Sequence, residues 1–245
     1  MPLRETVILL DIEGTITSIS FVKDTLFPYV AAALKNYVDK YWNDETFQQD
    51  LELLRAQAAL DSNIEGFVPI CTGNNEKESV INNVLWQMSK DRKNTALKQL
   101  QGHIWREGYE SGLLKGHLYE DVLPVLTKLI SMGKQIYTYS SGSTTAQEYL
   151  FQYSMYGDVS HMFVNYFDTK MGPKSSETSY KNIANRIFVN CHDILFLTDV
   201  LAEAEAAKRA GCSSALLVRP GNAPLDPKQS SKFKIMKTLD ELLEV

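Results

Sequence analysis

Thr6-Val7-Ile8-Leu9-Leu10-Asp11-Ile12-Glu13-Gly14-Thr15 joins a short apolar run to a carboxylate, a second acid and a Gly-Thr turn. A run that short, rich in β-branched residues and uninterrupted by charge, fits a strand buried on both faces. Residues 135–139, 194–198 and 214–218 share the design, ending at Ser140, Asp199 and Arg219. A weaker run at 162–164, ahead of Phe167-Asp168, fits a further strand.

Helical patterns separate these runs. Val122, Val125, Leu126 and Leu129 are helically spaced, with Pro124 in the first turn and Gly133 past the end. Tyr180, Ile183, Ala184 and Ile187 repeat the spacing, and residues 201–210 form another such stretch closed by Gly211. Thr238-Leu239-Asp240-Glu241 reads as a capping box. Strand alternating with helix predicts an α/β fold, a parallel sheet with helices on both faces. Residues 21–115 break the alternation. They carry helical stripes (Phe27, Val30, Leu34, Tyr37, Val38, Tyr41; Phe47, Leu51, Leu54, Ala58; Ile81, Val84, Leu85, Met88; Leu97, Leu100, Ile104) and no convincing strand. Residues 61–78, polar and bearing Gly and Pro, read as a loop. The expected organisation is therefore an α/β core of residues 1–20 and 116–245, with an all-helical insert of residues 21–115 after the first strand.

Composition narrows the function classes. The 245 residues, 44% hydrophobic and 22% charged with twelve Tyr, ten Phe and three Trp, are core material for a globular protein and argue against global disorder. Net charge −5 without a basic run argues against a nucleic-acid or anionic-membrane partner. No apolar stretch approaches the ~20 residues of a membrane span, and no signal peptide is read at residues 1–10. Cys71, Cys191 and Cys212 are too few and too scattered for a disulfide framework or a zinc site. A reducing compartment is expected, cytoplasm or nucleus, and a monomer.

Ligands of open parallel sheets bind beyond the carboxyl ends of the strands. Those ends carry Asp11, Ser140 and Asp199, with Glu13 two residues past Asp11. One acid after a strand is ordinarily a cap or a solvated loop residue. Acids after two buried strands, with a third nearby, would repel in one crevice unless a divalent cation resolved the conflict, and oxygen donors in a partly hydrated site suit Mg²⁺. Ser140-Ser141-Gly142-Ser143-Thr144 offers small hydroxyl donors at a helix start, a phosphate site when set beside a metal. Lys170 and Lys174 follow the weaker strand, Lys174 just past a Gly-Pro turn.

Asp-x-acid-Gly-Thr at Asp11–Thr15, then Ser140, Lys174 and Thr198-Asp199-x-x-x-Glu203 resemble the haloacid dehalogenase (HAD) superfamily of Mg²⁺ phosphatases, whose cap domain occupies the place of the helical insert. A narrower set resembles the enolase-phosphatase E1 (acireductone synthase) family: Leu9-Leu10-Asp11-Ile12-Glu13-Gly14-Thr15, Gln87-Met88-Ser89-Lys90-Asp91-Arg92-Lys93, Ala96-Leu97-Lys98-Gln99-Leu100-Gln101-Gly102, Tyr139-Ser140-Ser141-Gly142-Ser143, Phe167-Asp168-Thr169-Lys170 and Leu197-Thr198-Asp199-Val200. The resemblance implies a HAD-like three-layer Rossmannoid core with a helical cap. It implies a bifunctional enzyme of methionine salvage that enolises a small diketo phosphate ester and then dephosphorylates it. Glu13 stands where most of the superfamily has Asp, a feature the narrower family shares.

From these groups, Asp11 is expected to be the nucleophile, forming an aspartyl-phosphate. The superfamily resemblance implies that Glu13, the acid two residues after the nucleophile, protonates the leaving group and then activates water. Ser140, Ser141 and Lys174 should bind the substrate phosphate. One Mg²⁺ per subunit should be held by the Asp11 side chain, the Glu13 carbonyl and Asp199, with Glu203, a helical turn on, as an outer partner. The enolisation base is not identified, with Glu13, one methylene longer than Asp, a candidate. Trp86, Met88 and Trp105 are candidates for an apolar tail pocket, although membership of the insert's own core is the simpler role for them.

Overall fold

The computed structural model describes residues 3–243. Residues 1, 2, 244 and 245, the outermost positions of the expected α/β core and of the expected leaderless N-terminus, lie outside the described residues. The chain divides into two compact units. One runs to Lys23 and resumes at Lys115; the other is Asp24–Leu114.

In the first unit, β1 (Val7–Leu10), β2 (Gln135–Tyr139), β3 (Asn165–Phe167), β4 (Ile194–Thr198), β5 (Ser213–Leu217) and β6 (Lys234–Met236) form one all-parallel sheet in the order β3-β2-β1-β4-β5-β6. Successive side chains of a strand point to opposite faces. In β1, Ile8 and Leu10 accordingly join a core with Val125, Leu129, Phe151 and Leu197, whereas Val7 and Leu9 join one with Tyr139, Tyr180, Ile183 and Phe196. Both faces are therefore covered, as a parallel sheet requires. Helices Val122–Ser131 and Thr144–Gln152 carry residues of the first core, Glu177–Arg186 and Leu201–Ala210 of the second.

The sheet departs from expectation at its two edges. The apolar run at 162–164 is not the strand: Ser160–Met162 is a 3₁₀ turn, and pairing with β2 runs over Asn165–Phe167. Met162 and Phe163 are apolar because they plug the core below the sheet. At the other edge, β6 was not anticipated. It buries only Met236 of its three residues, so it carries no strand-like apolar pattern. The capping box at Thr238 is present and opens a 3₁₀ turn over Leu239–Leu242.

The second unit contains helices α1 (Phe27–Tyr41), α2 (Glu45–Asp61), α3 (Glu76–Ser89) and α4 (Thr95–Glu110), with no strand among its described residues. Their stripes meet in a separate core of Val30, Leu34, Phe47, Leu54, Val84 and Leu100. A fully buried Asp50 carboxylate is satisfied within this unit by His103 Nδ1 at 2.6 Å and Gln99 Nε2 at 2.8 Å. Trp86 and Trp105 belong to the unit's own packing: Trp86 is buried edge-on to Phe67, and Trp105 Nε1 donates to the Leu26 carbonyl at 2.9 Å.

Candidate active site

The strand order reverses between β1 and β4, and a crevice opens at such a switch point beyond the carboxyl ends. Register places Leu10 beside both Thr138 and Leu197, so Asp11 emerges between the ends of β2 and β4. The Asp11 amide donates to the Leu197 carbonyl at 2.8 Å, carrying the ladder one residue further. The chain then turns sharply. The Ile12 carbonyl accepts from the amides of Thr15, Ile16 and Thr17, and Gly14 takes a left-handed φ of +78°. A Cβ at position 14 would lie 2.5 Å from Asp199 Oδ2, so only glycine lets this loop pass the carboxylate.

Asp11 is buried. Its Oδ1 accepts from the Ile12 amide at 2.7 Å and pairs with Lys174 Nζ at 2.6 Å. Its Oδ2 accepts from the Thr198 hydroxyl at 3.2 Å. Lys174 Nζ also lies 2.8 Å from Glu203 Oε2, and Thr198 Oγ1 stands 2.9 Å from the same oxygen. The lysine thus bridges two carboxylates that a single threonine hydroxyl also spans. Burial opposes the charge of Lys174, but Asp11 and Glu203 outweigh it and hold the ammonium protonated well above its usual range. Burial and the charge of Asp11 raise the Glu203 carboxyl, with Lys174 and Thr198 offsetting part of the rise. Asp199 has no such lysine contact, and burial followed by Asp11 pushes it up to about 7. Three carboxylates against one ammonium leave an excess of negative charge in this crevice, which is the chemistry of a cation site.

Ser140 is buried at the end of β2, where its Oγ accepts from the Gly142 amide at 3.1 Å. Ser141 next to it is exposed. Glu13 is half-buried, and Lys170 is exposed. Of the residues singled out by sequence, direct contacts join Asp11, Lys174 and Glu203, and Asp199 joins them through the field of Asp11.

Several residues hold this geometry that sequence reasoning did not single out. Gln147, buried in helix Thr144–Gln152, accepts from Thr138 Oγ1 and donates to the Gly142 and Phe167 carbonyls, tying the ends of β2 and β3 together. Arg219 Nε donates to the Thr15 carbonyl at 3.0 Å, and Asn222 Nδ2 to the Gly14 carbonyl at 2.9 Å, so the segment after β5 grips the loop after β1. Arg219 Nη2 also lies 2.8 Å from Asp121 Oδ2, an ion pair whose angle is too poor for a hydrogen bond. Arg219 was the signal in plain view: an arginine directly after a buried strand must find carbonyls or an acid.

The model of the family described as haloacid dehalogenase-like hydrolase matches residues 6–211. The chain is 79% identical over 244 residues to enolase-phosphatase E1 of Acyrthosiphon pisum, covering all of this chain and 99% of that protein. It is 50% identical over 237 residues to enolase-phosphatase E1 of Xenopus tropicalis, covering 94% and 92%. The crystal structure of the UTR4 protein of Saccharomyces cerevisiae superposes with a TM-score of 0.75 at 34% identity, covering 96% of this chain and 98% of that one. The phosphate complex of CbbY from Rhodobacter sphaeroides, at 17% identity and a TM-score of 0.59 over 97% and 96%, shares the fold.

Proposed function

Because this chain belongs to the haloacid dehalogenase-like hydrolases, and among them to the enolase-phosphatase E1 family of phosphatases, we propose that it serves methionine salvage by enolising 2,3-diketo-5-methylthiopentyl-1-phosphate and dephosphorylating the product to 1,2-dihydroxy-3-keto-5-methylthiopentene. The observation that carries the hydrolytic half is the buried Asp11 carboxylate at the strand-order reversal, in contact with the Lys174 ammonium and under the field of Asp199.

In this reading Asp11 attacks phosphorus in line and takes the phosphoryl group as an aspartyl-phosphate, which splits one difficult step into two. Lys174 keeps its Glu203 contact and turns from Asp11 to the equatorial phosphoryl oxygens, which Ser140 and Ser141 also bind. Glu13 delivers a proton to the leaving oxygen and then takes one from the attacking water. Glu203 stays behind as the partner that keeps Lys174 aimed, consistent with its 2.8 Å contact.

Mg²⁺ fits the residues present. Asp11 and Asp199 would supply two carboxylates and Glu13 a backbone carbonyl, and the unbalanced negative charge favours a divalent ion. No group of three or more His, Cys, Asp and Glu side chains suited to a metal occurs among the described residues. When bound, the ion would neutralise phosphoryl oxygens and polarise the carbonyl beside the enolised carbon.

The test is an assay of the purified protein with the diketo phosphate, following inorganic phosphate and the ultraviolet absorbance of the enediol in parallel, beside a panel of other phosphate monoesters. Both signals should rise with the diketo phosphate. Phosphate release from panel esters with neither signal from the diketo compound would leave a phosphatase of another substrate.

A further inference from the structure

Three successive backbone carbonyls lead into the Lys174 side chain, and each accepts a hydrogen bond from a buried hydroxyl. Tyr139 Oη donates to the Gly172 carbonyl, Ser179 Oγ to the Pro173 carbonyl and Tyr180 Oη to the Lys174 carbonyl, each at 2.7 Å. All three donors are inaccessible to solvent or nearly so. Tyr139 closes β2, while Ser179 and Tyr180 are neighbours on helix Glu177–Arg186. The two phenol rings pack edge to face at 5.6 Å, and both lie against Phe196 of β4. Burial raises both phenols, so they remain donors at any working pH.

The backbone is shaped to admit these donors. Gly172 has φ +125°, and a Cβ there would lie 2.3 Å from Ser179 Oγ. The Lys174 ammonium stands 5.9 Å from the centroid of the Tyr139 ring, so one tyrosine both holds the loop and faces the cation it presents. A lysine is a compact charge on a flexible four-carbon stem, and aiming it costs side-chain entropy. Fixing its own carbonyl and the two before it removes backbone freedom from that cost.

We infer that Tyr139, Ser179 and Tyr180 are positioning residues for Lys174: by holding the 172–174 carbonyls they set the ammonium where it meets the transferring phosphoryl group. The inference rests on the reading of Lys174 as a phosphate-binding residue. If the hydroxyls served only to satisfy buried carbonyls, their loss would weaken the fold but would not depend on Lys174.

The dependence is measurable as a double-mutant cycle. Tyr180→Phe, Ser179→Ala and Tyr139→Phe are made singly and in a Lys174→Met background. The readouts are the dissociation constant of inorganic phosphate by calorimetry with Mg²⁺ present, kcat and KM for the diketo phosphate, and melting temperature. Each single change should weaken phosphate binding and lower kcat by about 5- to 20-fold, the size expected from one lost buried hydrogen bond. In the Lys174→Met background the same changes should move phosphate binding by less than about twofold. Equal losses in both backgrounds, or single variants that bind phosphate and turn over like the parent, would overturn the inference. If one variant does not fold, the other two carry the cycle. A Lys174→Met protein that binds phosphate as tightly as the parent would instead remove the reading of Lys174 itself, and the positioning role with it.

Discussion

Lys174 and Asp199 show how charge is divided within one crevice. Lys174 balances Asp11 and Glu203, whereas Asp199 pays for its position with a carboxyl displaced to about 7 by burial and by Asp11. An unfolded Asp titrates near ~3.9. The metal-free native state therefore takes up a proton that the unfolded chain does not between about pH 4 and 7, and its stability falls as pH rises through that window. Glu203, also raised, acts in the same direction. In chelator, Asp199→Asn should melt several degrees above the parent at pH 8 and show no advantage at pH 4. Three pK units would carry about 4 kcal/mol, but Asp199 is only partly buried, so a gain on the order of 1–2 kcal/mol is expected. Parent and variant curves that run parallel from pH 4 to 8 would refute the electrostatic assignment. Asp199→Ala should also weaken Mg²⁺ binding in a way that added Mg²⁺ partly restores to activity, and Lys174→Ala should not be restored by it; equal rescue would mean the two roles are exchanged. Asp11, Lys174 and Asp199 were legible in the sequence because each follows a strand or its first turn. Tyr139, Ser179, Tyr180 and Gln147 were not, because a buried hydroxyl or amide reads as ordinary core until the carbonyl it serves is known.

At the level of elements, the loop after β1 is held mainly from the far side of the sheet order. Arg219 and Asn222 follow β5, and Arg219 also reaches the Lys237 carbonyl just beyond β6. Asp121, at the start of helix Val122–Ser131, receives both Arg219 and the Leu239 amide, so one ion pair joins four segments. Both side chains are over nine-tenths buried, and removing one partner leaves the other charge uncompensated. Arg219→Met should cost about 3–5 kcal/mol in urea unfolding. Adding Asp121→Asn should return part of that loss, since the amide oxygen still accepts from Leu239 without carrying charge. A double variant no more stable than Arg219→Met would show that the cost comes from lost packing over Tyr119, whose ring lies 4.4 Å from the guanidinium, and not from the stranded charge. Elements with a strong period were readable: the four buried strands, and the helices with their Gly133 and Gly211 stops. The edge strands were not, because β3 and β6 are short and half-exposed, and the apolar residues near β3 belong to a core-plugging turn.

At the scale of the whole molecule, each unit has its own apolar core, and Asp11, Glu13, Ser140, Ser141, Lys174 and Asp199 all belong to the α/β unit. The residues proposed for hydrolysis therefore share one unit, and the two proposed half-reactions differ in what they ask of it. Hydrolysis by the proposed route needs a covalent acceptor, the role proposed for Asp11. Enolisation needs a polarised carbonyl and a base, for which the Asp11 nucleophile is not required. Asp11→Asn keeps a neutral oxygen ligand, so its Mg²⁺ affinity should fall without vanishing. At saturating Mg²⁺ this variant should release phosphate at least about a thousandfold more slowly than the parent, the scale expected for loss of a nucleophile. It should still exchange the hydrogen on the phosphate-bearing carbon with deuterated water. Chelation of the parent should stop both. Exchange is followed by proton NMR while inorganic phosphate is assayed on the same samples, with the fold checked by circular dichroism and metal occupancy by calorimetry. Phosphate release within tenfold of the parent would remove Asp11 as nucleophile. Loss of exchange in a folded, metal-loaded Asp11→Asn would mean that Asp11 itself takes part in proton removal, and that the two half-reactions are not divided between different groups of this site.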